Sequence, residues 1–245
     1  EYIATMLDAT DDMMLERLYA NAPTGVEFRK LRCTLNTDTP QALGACMTKR
    51  FADRFADLIP SLRERYDAPS RAYHNWAHIQ ALLGHFERVS DAMRRPDAVE
   101  IALYYHDVIY VPGSKRNEDD SADAMQAELS GRADTETLEI ADLIIRATAN
   151  HAVPENASSS VAQDCALFLD MDLAILGAEP TAFDTFDSAI RQEFGVIPDE
   201  IFLPRRRDAM QVFLERDRIY LTSQFHDEFD ARARKNLRRL IERLS

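Results

Sequence analysis

At 245 residues, with 46% hydrophobic and 29% charged residues and only 7 glycines, the chain has the composition of a helix-rich globular protein rather than a disordered or collagen-like one. That length buries a core without covalent staples, and Cys33, Cys46 and Cys165 are too scattered for a disulfide framework or a Cys-based zinc site, which points to a reducing compartment. A formal net charge of −13 works against extended nucleic-acid binding, and no apolar run is long enough to span a bilayer, so no membrane association and a cytoplasmic location are expected.

Residues 1–42 lack a dense core pattern, apart from a short helical one over 13–19, and are set aside as an N-terminal extension without an assigned role. From 43 to 245 the pattern is that of one all-α domain. Phe51, Phe55, Leu58, Ile59 and Leu62 predict a helix over 43–65 that Pro60 bends or divides. A second helix is predicted over 73–94 and a third over 98–110, with Pro96 and Asp97 separating them. The third is apolar on nearly every side, the mark of a central helix, yet it carries His106 and Asp107 near its end. A buried carboxylate there is costly unless something positive sits beside it. Further helices are predicted up to 129, over 135–148, over 162–176, around Phe183, Phe186, Ile190 and Phe194, and over 205–220 and 228–244.

Four features carry chemistry. Tyr73-His74-Asn75-Trp76-Ala77-His78, read as helix, puts His74 and His78 on one face. His106-Asp107 pairs an imidazole with a carboxylate, His151 ends a helix, and Asp170 and Asp172 lie two residues apart. Residues two apart on a helix point roughly 200° from each other, so only one of the aspartates faces the core. Asp172 shares the stripe of Leu169, Leu173 and Leu176, whereas Asp170 lies nearer its margin, which favours Asp172 as a ligand. Imidazole and carboxylate together suit zinc, manganese, iron, nickel or magnesium. A divalent cation would offset the burial of Asp107 and Asp172 and lower the pKa of a bound water, which is the nucleophile a phosphoester hydrolase needs.

In that order and on separate helices, His78, His106-Asp107 and Asp172 resemble the H...HD...D signature of the HD-domain superfamily of metal-dependent phosphohydrolases. The Tyr73–His78 segment is similar to the YHNxxH element of cyclic-nucleotide phosphodiesterases, a related helical fold. Together with Asn117-Glu118, Ser121-Ala122, the 168–173 segment and the 233–237 segment, it makes the chain resemble a bacterial branch of predicted HD phosphohydrolases over about 48–244. The resemblance implies an HD-domain-like helical bundle with His78, His106, Asp107 and Asp172 as metal ligands. It also implies His74 as the acid that protonates the leaving oxygen and Asp107 as the group that positions or deprotonates the attacking water. Phosphodiesterases continue HDxxH, but Tyr110 stands at the last position here, so one metal is expected rather than two.

Asn75, Tyr110, Asn117, Glu118 and His151 are the further candidates for orienting water or substrate. A small phosphate ester or nucleotide is the expected substrate. For binding its phosphate, the basic run Arg205-Arg206-Arg207 is weighed against a solvated helix start, and Arg191 and Arg207 against exposed ion pairs. The alternatives are a weakly active or inactive HD-fold protein that binds a ligand or regulates, and a two-iron oxygenase, which Tyr110 disfavours.

Overall fold

In a computed structural model, which describes residues 50–245, every regular element is a helix, and no strand occurs among the described residues. The expectations for residues 1–42, the short helix over 13–19 included, lie outside the described residues, as does the start of the first predicted helix. Among the described residues, ten α-helices follow in chain order: α1 (Phe51–Arg54), α2 (Ile59–Tyr66), α3 (Trp76–Val89), α4 (Pro96–Tyr105), α5 (Asn117–Leu129), α6 (Thr135–Ala147), α7 (Ser159–Asp172), α8 (Pro180–Glu193), α9 (Asp199–Glu215) and α10 (Ser223–Arg243). Short 3-10 turns at Ser90–Ala92 and Leu173–Gly177 extend α3 and α7. The all-α class is as expected. No helix among the described residues is long and apolar enough to cross a membrane.

Central position goes to α4, as its all-round apolarity predicts. Every residue from Ala98 to Tyr105 is buried, and the helix packs against α1, α3, α5, α6 and α7. Its one buried acid, Glu100, accepts a hydrogen bond from the Phe51 N–H at 2.8 Å, which covers a group at the start of α1. Pro96 opens α4 rather than preceding it, because a helix's first turn has no use for the N–H that proline lacks. Pro60 behaves likewise: it divides the predicted 43–65 helix by starting α2.

Two acids on α7 fix the entries of its neighbours. Asp164 accepts from the Arg94 and Arg95 N–H groups just before α4. Asp170 accepts from the Leu221 and Thr222 N–H groups and the Thr222 hydroxyl just before α10. Each satisfies orphan donors of a helix start. Gly177 lets α10 pass close by, since a Cβ there would lie 2.6 Å from that of Phe229. The carbonyls at the end of this turn are taken by Asn236, which donates to Leu176 and Ala178. Contrary to the sequence pattern, α9 starts at Asp199 and not at 205. Pro204 lies inside it, where it cannot donate to the Glu200 carbonyl.

Candidate metal centre

His78 projects from the first turn of α3, His106 caps the C-terminus of α4 with Asp107 following it, and Asp172 ends α7. The packing of α3, α4 and α7 on one another brings these ends together. His78 Nε2 lies 3.2 Å from His106 Nε2 and 3.1 Å from Asp172 Oδ1. Asp107 Oδ2 lies 3.0 Å from His106 Nε2 and 3.9 Å from His78 Nε2, and His106 Nε2 is 3.7 Å from Asp172 Oδ1. Both imidazoles are buried.

These donors fit a cation. With metal–ligand bonds of about 2.1 Å, neighbouring ligand atoms stand about 3.0 Å apart around an octahedral ion and about 3.4 Å apart around a tetrahedral one. Most of the distances fall near that range. His106 Nδ1 donates to the Leu103 carbonyl at 3.1 Å, so it is Nε2 that faces the cluster and would offer a lone pair there once deprotonated. His78, His106 and Asp172 thus form a group that could hold a metal ion, with Asp107 beside it.

The electrostatics show a site that seeks positive charge. Burial disfavours the His106 imidazolium, yet the Asp107 and Asp172 carboxylates outweigh it and lift its pKa to about 9. Asp107 is held well below the usual carboxylate range: burial opposes ionisation, but His106 and His74 overcome it. Asp172 is also held well below it, against burial, by His151, His78 and His106. A proton or a metal ion serves the same need.

His74 departs from its predicted place. Asn75 is the N-cap of α3, its Oδ1 accepting from the Ala77 N–H and its Nδ2 donating to the Ala72 carbonyl, so His74 lies in the loop before the helix. Two residues that the sequence does not single out position it. Glu193, buried at the end of α8, accepts from His74 Nδ1 at 2.7 Å through Oε2 and from the Tyr73 and His74 N–H groups through Oε1. Arg71 donates to the carbonyls of His74, Asp107 and Val108, tying the loop to the HD segment. The Tyr110 ring stacks on His74 at 4.2 Å, and its hydroxyl donates to Glu193 Oε2 at 3.0 Å. Burial lowers the pKa of His74, but Asp107, Glu193 and Asp172 together raise it above the ordinary imidazole value.

His151 belongs to this site. Its Nε2 meets Asp172 Oδ2 at 2.9 Å, opposite the oxygen that faces His78. Its backbone sits at φ 48°, a conformation uncommon outside glycine, and Arg216 holds the Asn150 and His151 carbonyls. Half-buried Glu118 lines the cavity in front of the cluster, and burial, helped by Asp107, raises its pKa. Asn117 does not join them: it exchanges two hydrogen bonds with the Val111 backbone and closes the loop before α5. Asn75 likewise has a capping role in place of the expected substrate contact.

Among the arginines, Arg191 binds Asp199 and the Phe194 and Ile197 carbonyls, and Arg207 binds its neighbour Asp208, so both are tied up in local structure. Arg206 instead is buried and contributes to the cavity wall. The cavity, about 740 Å³ with its open mouth, is also lined by Tyr73, Leu176, Phe186, Ile190 and Phe194. Comparison with protein-family models, curated proteins and solved structures finds no match.

Proposed function

We propose that this chain is a metal-dependent phosphohydrolase of the HD superfamily that cleaves a small phosphate ester. The observation that carries the reading is the meeting of His78 Nε2, His106 Nε2 and Asp172 Oδ1, from three helix ends, with Asp107 Oδ2 beside His106. His78, His106, Asp107 and Asp172 would hold one divalent cation. When bound, the cation supplies a water of lowered pKa and neutralises charge on the phosphoryl oxygens.

The chain's own groups supply the rest. Asp107, at the cavity edge of the cluster, orients the attacking water and takes up its proton. His74 has Nδ1 committed to Glu193, so Nε2 is the nitrogen that delivers a proton to the ester oxygen as the P–O bond breaks. Glu193 stabilises the protonated imidazole and fixes its tautomer, and Tyr110 holds both ring and carboxylate in place. Apolar walls limit bulk water around the reacting bond.

The test is phosphate release from a panel of esters and nucleotides by protein loaded with manganese, zinc, iron, nickel or magnesium in turn. Asp107→Ala should abolish both tight metal binding and turnover. His74→Asn should keep the metal and lower kcat by about a hundredfold or more, the usual worth of a general acid. Full activity in either variant would contradict these roles. Metal binding without any turnover would favour a ligand-binding or regulatory protein, and two irons per chain an oxygenase.

A further inference from the structure

The bonds by which Arg71 ties the His74 loop to the HD segment use only part of its guanidinium. Nη1 donates to the His74 and Asp107 carbonyls at 3.1 and 2.6 Å, and Nη2 to the Val108 carbonyl at 3.0 Å. A guanidinium carries five N–H groups, so Nε–H and one Nη2–H are left, and these two nitrogens form one edge of the planar fork. The Tyr66 and Tyr110 rings flank the group, with Cζ 5.1 and 5.6 Å from their centroids. Its charge is unmatched as well. Half-buried Arg65 and Arg95 and buried Arg206 each meet a carboxylate, whereas no carboxylate among the described residues lies within ion-pair distance of half-buried Arg71.

Arg71 lines an open recess between α2 and the start of α3, separate from the cavity in front of the His/Asp cluster. Arg63 stands at the exposed side of this recess, with Nε donating to Asp67 Oδ2 at 3.1 Å and the guanidinium over the Trp76 ring at 5.7 Å. The Arg63 Nη groups have no carboxylate or carbonyl partner among the described residues, and neither has the exposed Gln80 amide, which lines the recess too. Asn75 and Tyr66 are committed elsewhere, the Asn75 amide to the Ala72 and Ala77 backbone and the Tyr66 hydroxyl to the Tyr104 carbonyl. Arg63 and Arg71 face Asp67 as the one carboxylate lining the recess, an excess of positive charge on a chain of net charge −13.

We propose that this recess binds a small oxyanion through the Nε and Nη2 edge of Arg71, whatever chemistry the metal centre performs. Two oxygens of one carboxylate or phosphate group match that edge. Arg63 and Gln80 supply further donors from the same recess, and the Trp76 ring gives it an apolar side. The guanidinium that receives the anion also holds the His74 and Asp107 carbonyls, so the bound anion lies one side chain away from the candidate proton donor and the HD pair.

Trp76 is the single tryptophan of the chain and lines the recess, so its fluorescence reads occupancy without turnover. Inorganic phosphate and acetate are titrated separately into metal-free protein at an ionic strength held constant with potassium chloride. At least one of them should give a saturable change in Trp76 emission, and the salt that gives the tighter response identifies the anionic group preferred. Arg71→Met should weaken that binding by more than about tenfold, the worth of a charge-assisted pair of bonds. Arg63→Gln leaves the carbonyl bonds of Arg71 in place, so it keeps the test decisive should the first variant fold poorly, and it should weaken binding by about threefold. No saturable response to either salt beyond that of chloride overturns the proposal. Affinity that stays unchanged in either variant overturns it too.

Discussion

Asp170 and Asp172 sit two residues apart at the end of one helix, and their surroundings differ in kind. Asp170, the more deeply buried, is enclosed by backbone N–H groups and a hydroxyl of the chain entering α10, and burial raises its pKa despite those bonds. Asp172 meets only imidazoles, His78 on one oxygen and His151 on the other, and its pKa falls well below the ordinary value. Backbone amides satisfy a carboxylate permanently. An imidazole N–H can instead be given up, and the nitrogen and the carboxylate oxygen could then face a cation together. Partner type, more than depth of burial, separates the acid that holds the fold from the acid that could serve a metal.

Paired substitutions bear hardest on this contrast. Asp172→Ala should cost more than about a hundredfold in metal affinity, beyond what loss of a supporting contact costs, and change the melting temperature of metal-free protein little. Asp170→Ala should do the reverse: it leaves the donors before α10 without an acceptor, costing about 3 kcal/mol and so lowering Tm by about 10 °C at unchanged metal affinity. Calorimetric metal titration and thermal melts on both variants give the four numbers.

The pH dependence offers a second handle. Metal must displace the proton from His106, whose pKa stands at about 9 without metal, so affinity should rise about tenfold per pH unit between neutrality and pH 9. The same raised pKa stabilises the metal-free fold fully below the unfolded value of 6.5, and that contribution is lost as pH climbs through about 9. The depressed carboxylates act in the opposite sense, adding stability above their ordinary range that disappears in acid. Metal-free Asp172→Ala should show a weaker alkaline loss than the parent, because one of the charges that raises His106 is gone. A parent protein whose metal affinity is flat from pH 7 to 9 would contradict the assignment of His106.

Smaller effects belong to the groups that hold His74. Glu193→Gln should lower kcat about tenfold with KM and metal content unchanged, and move the alkaline limb of the kcat profile to lower pH, because the imidazolium loses a carboxylate partner. Tyr110→Phe removes one hydrogen bond while keeping the stacked ring, and an effect of about threefold is expected.

The candidate ligand residues are legible in the sequence because an acid or histidine on an otherwise apolar stripe has few innocent explanations. The preference for Asp172 over Asp170 rests partly on a margin argument that does not hold, since Asp170 is the deeper of the two. Helix phase favours the residue that joins the His/Asp group, but the capping demand of a distant segment, Leu221-Thr222, is invisible in sequence. Asn75 carries a readable signal, as asparagine before a helical run is a favoured N-cap, and that signal puts His74 in a loop. Glu193 is readable too: it follows Phe186 by seven residues and Ile190 by three, on the buried face of α8. Arg206 lies on the stripe of Phe202, Ala209, Met210 and Phe213, hidden inside a run of three arginines that reads as solvated. Arg71 offers no such cue, because its partners are backbone carbonyls brought near by the folding of α4.

The decisive measurement is a crystal structure of the protein loaded with manganese, with anomalous data identifying the ion. One ion per chain is expected, bonded to His78 Nε2, His106 Nε2, Asp107 and Asp172, with His74 still on Glu193. A loaded protein in which these four side chains surround no ion, or in which the metal is held elsewhere, would contradict the metal centre and the hydrolase reading with it.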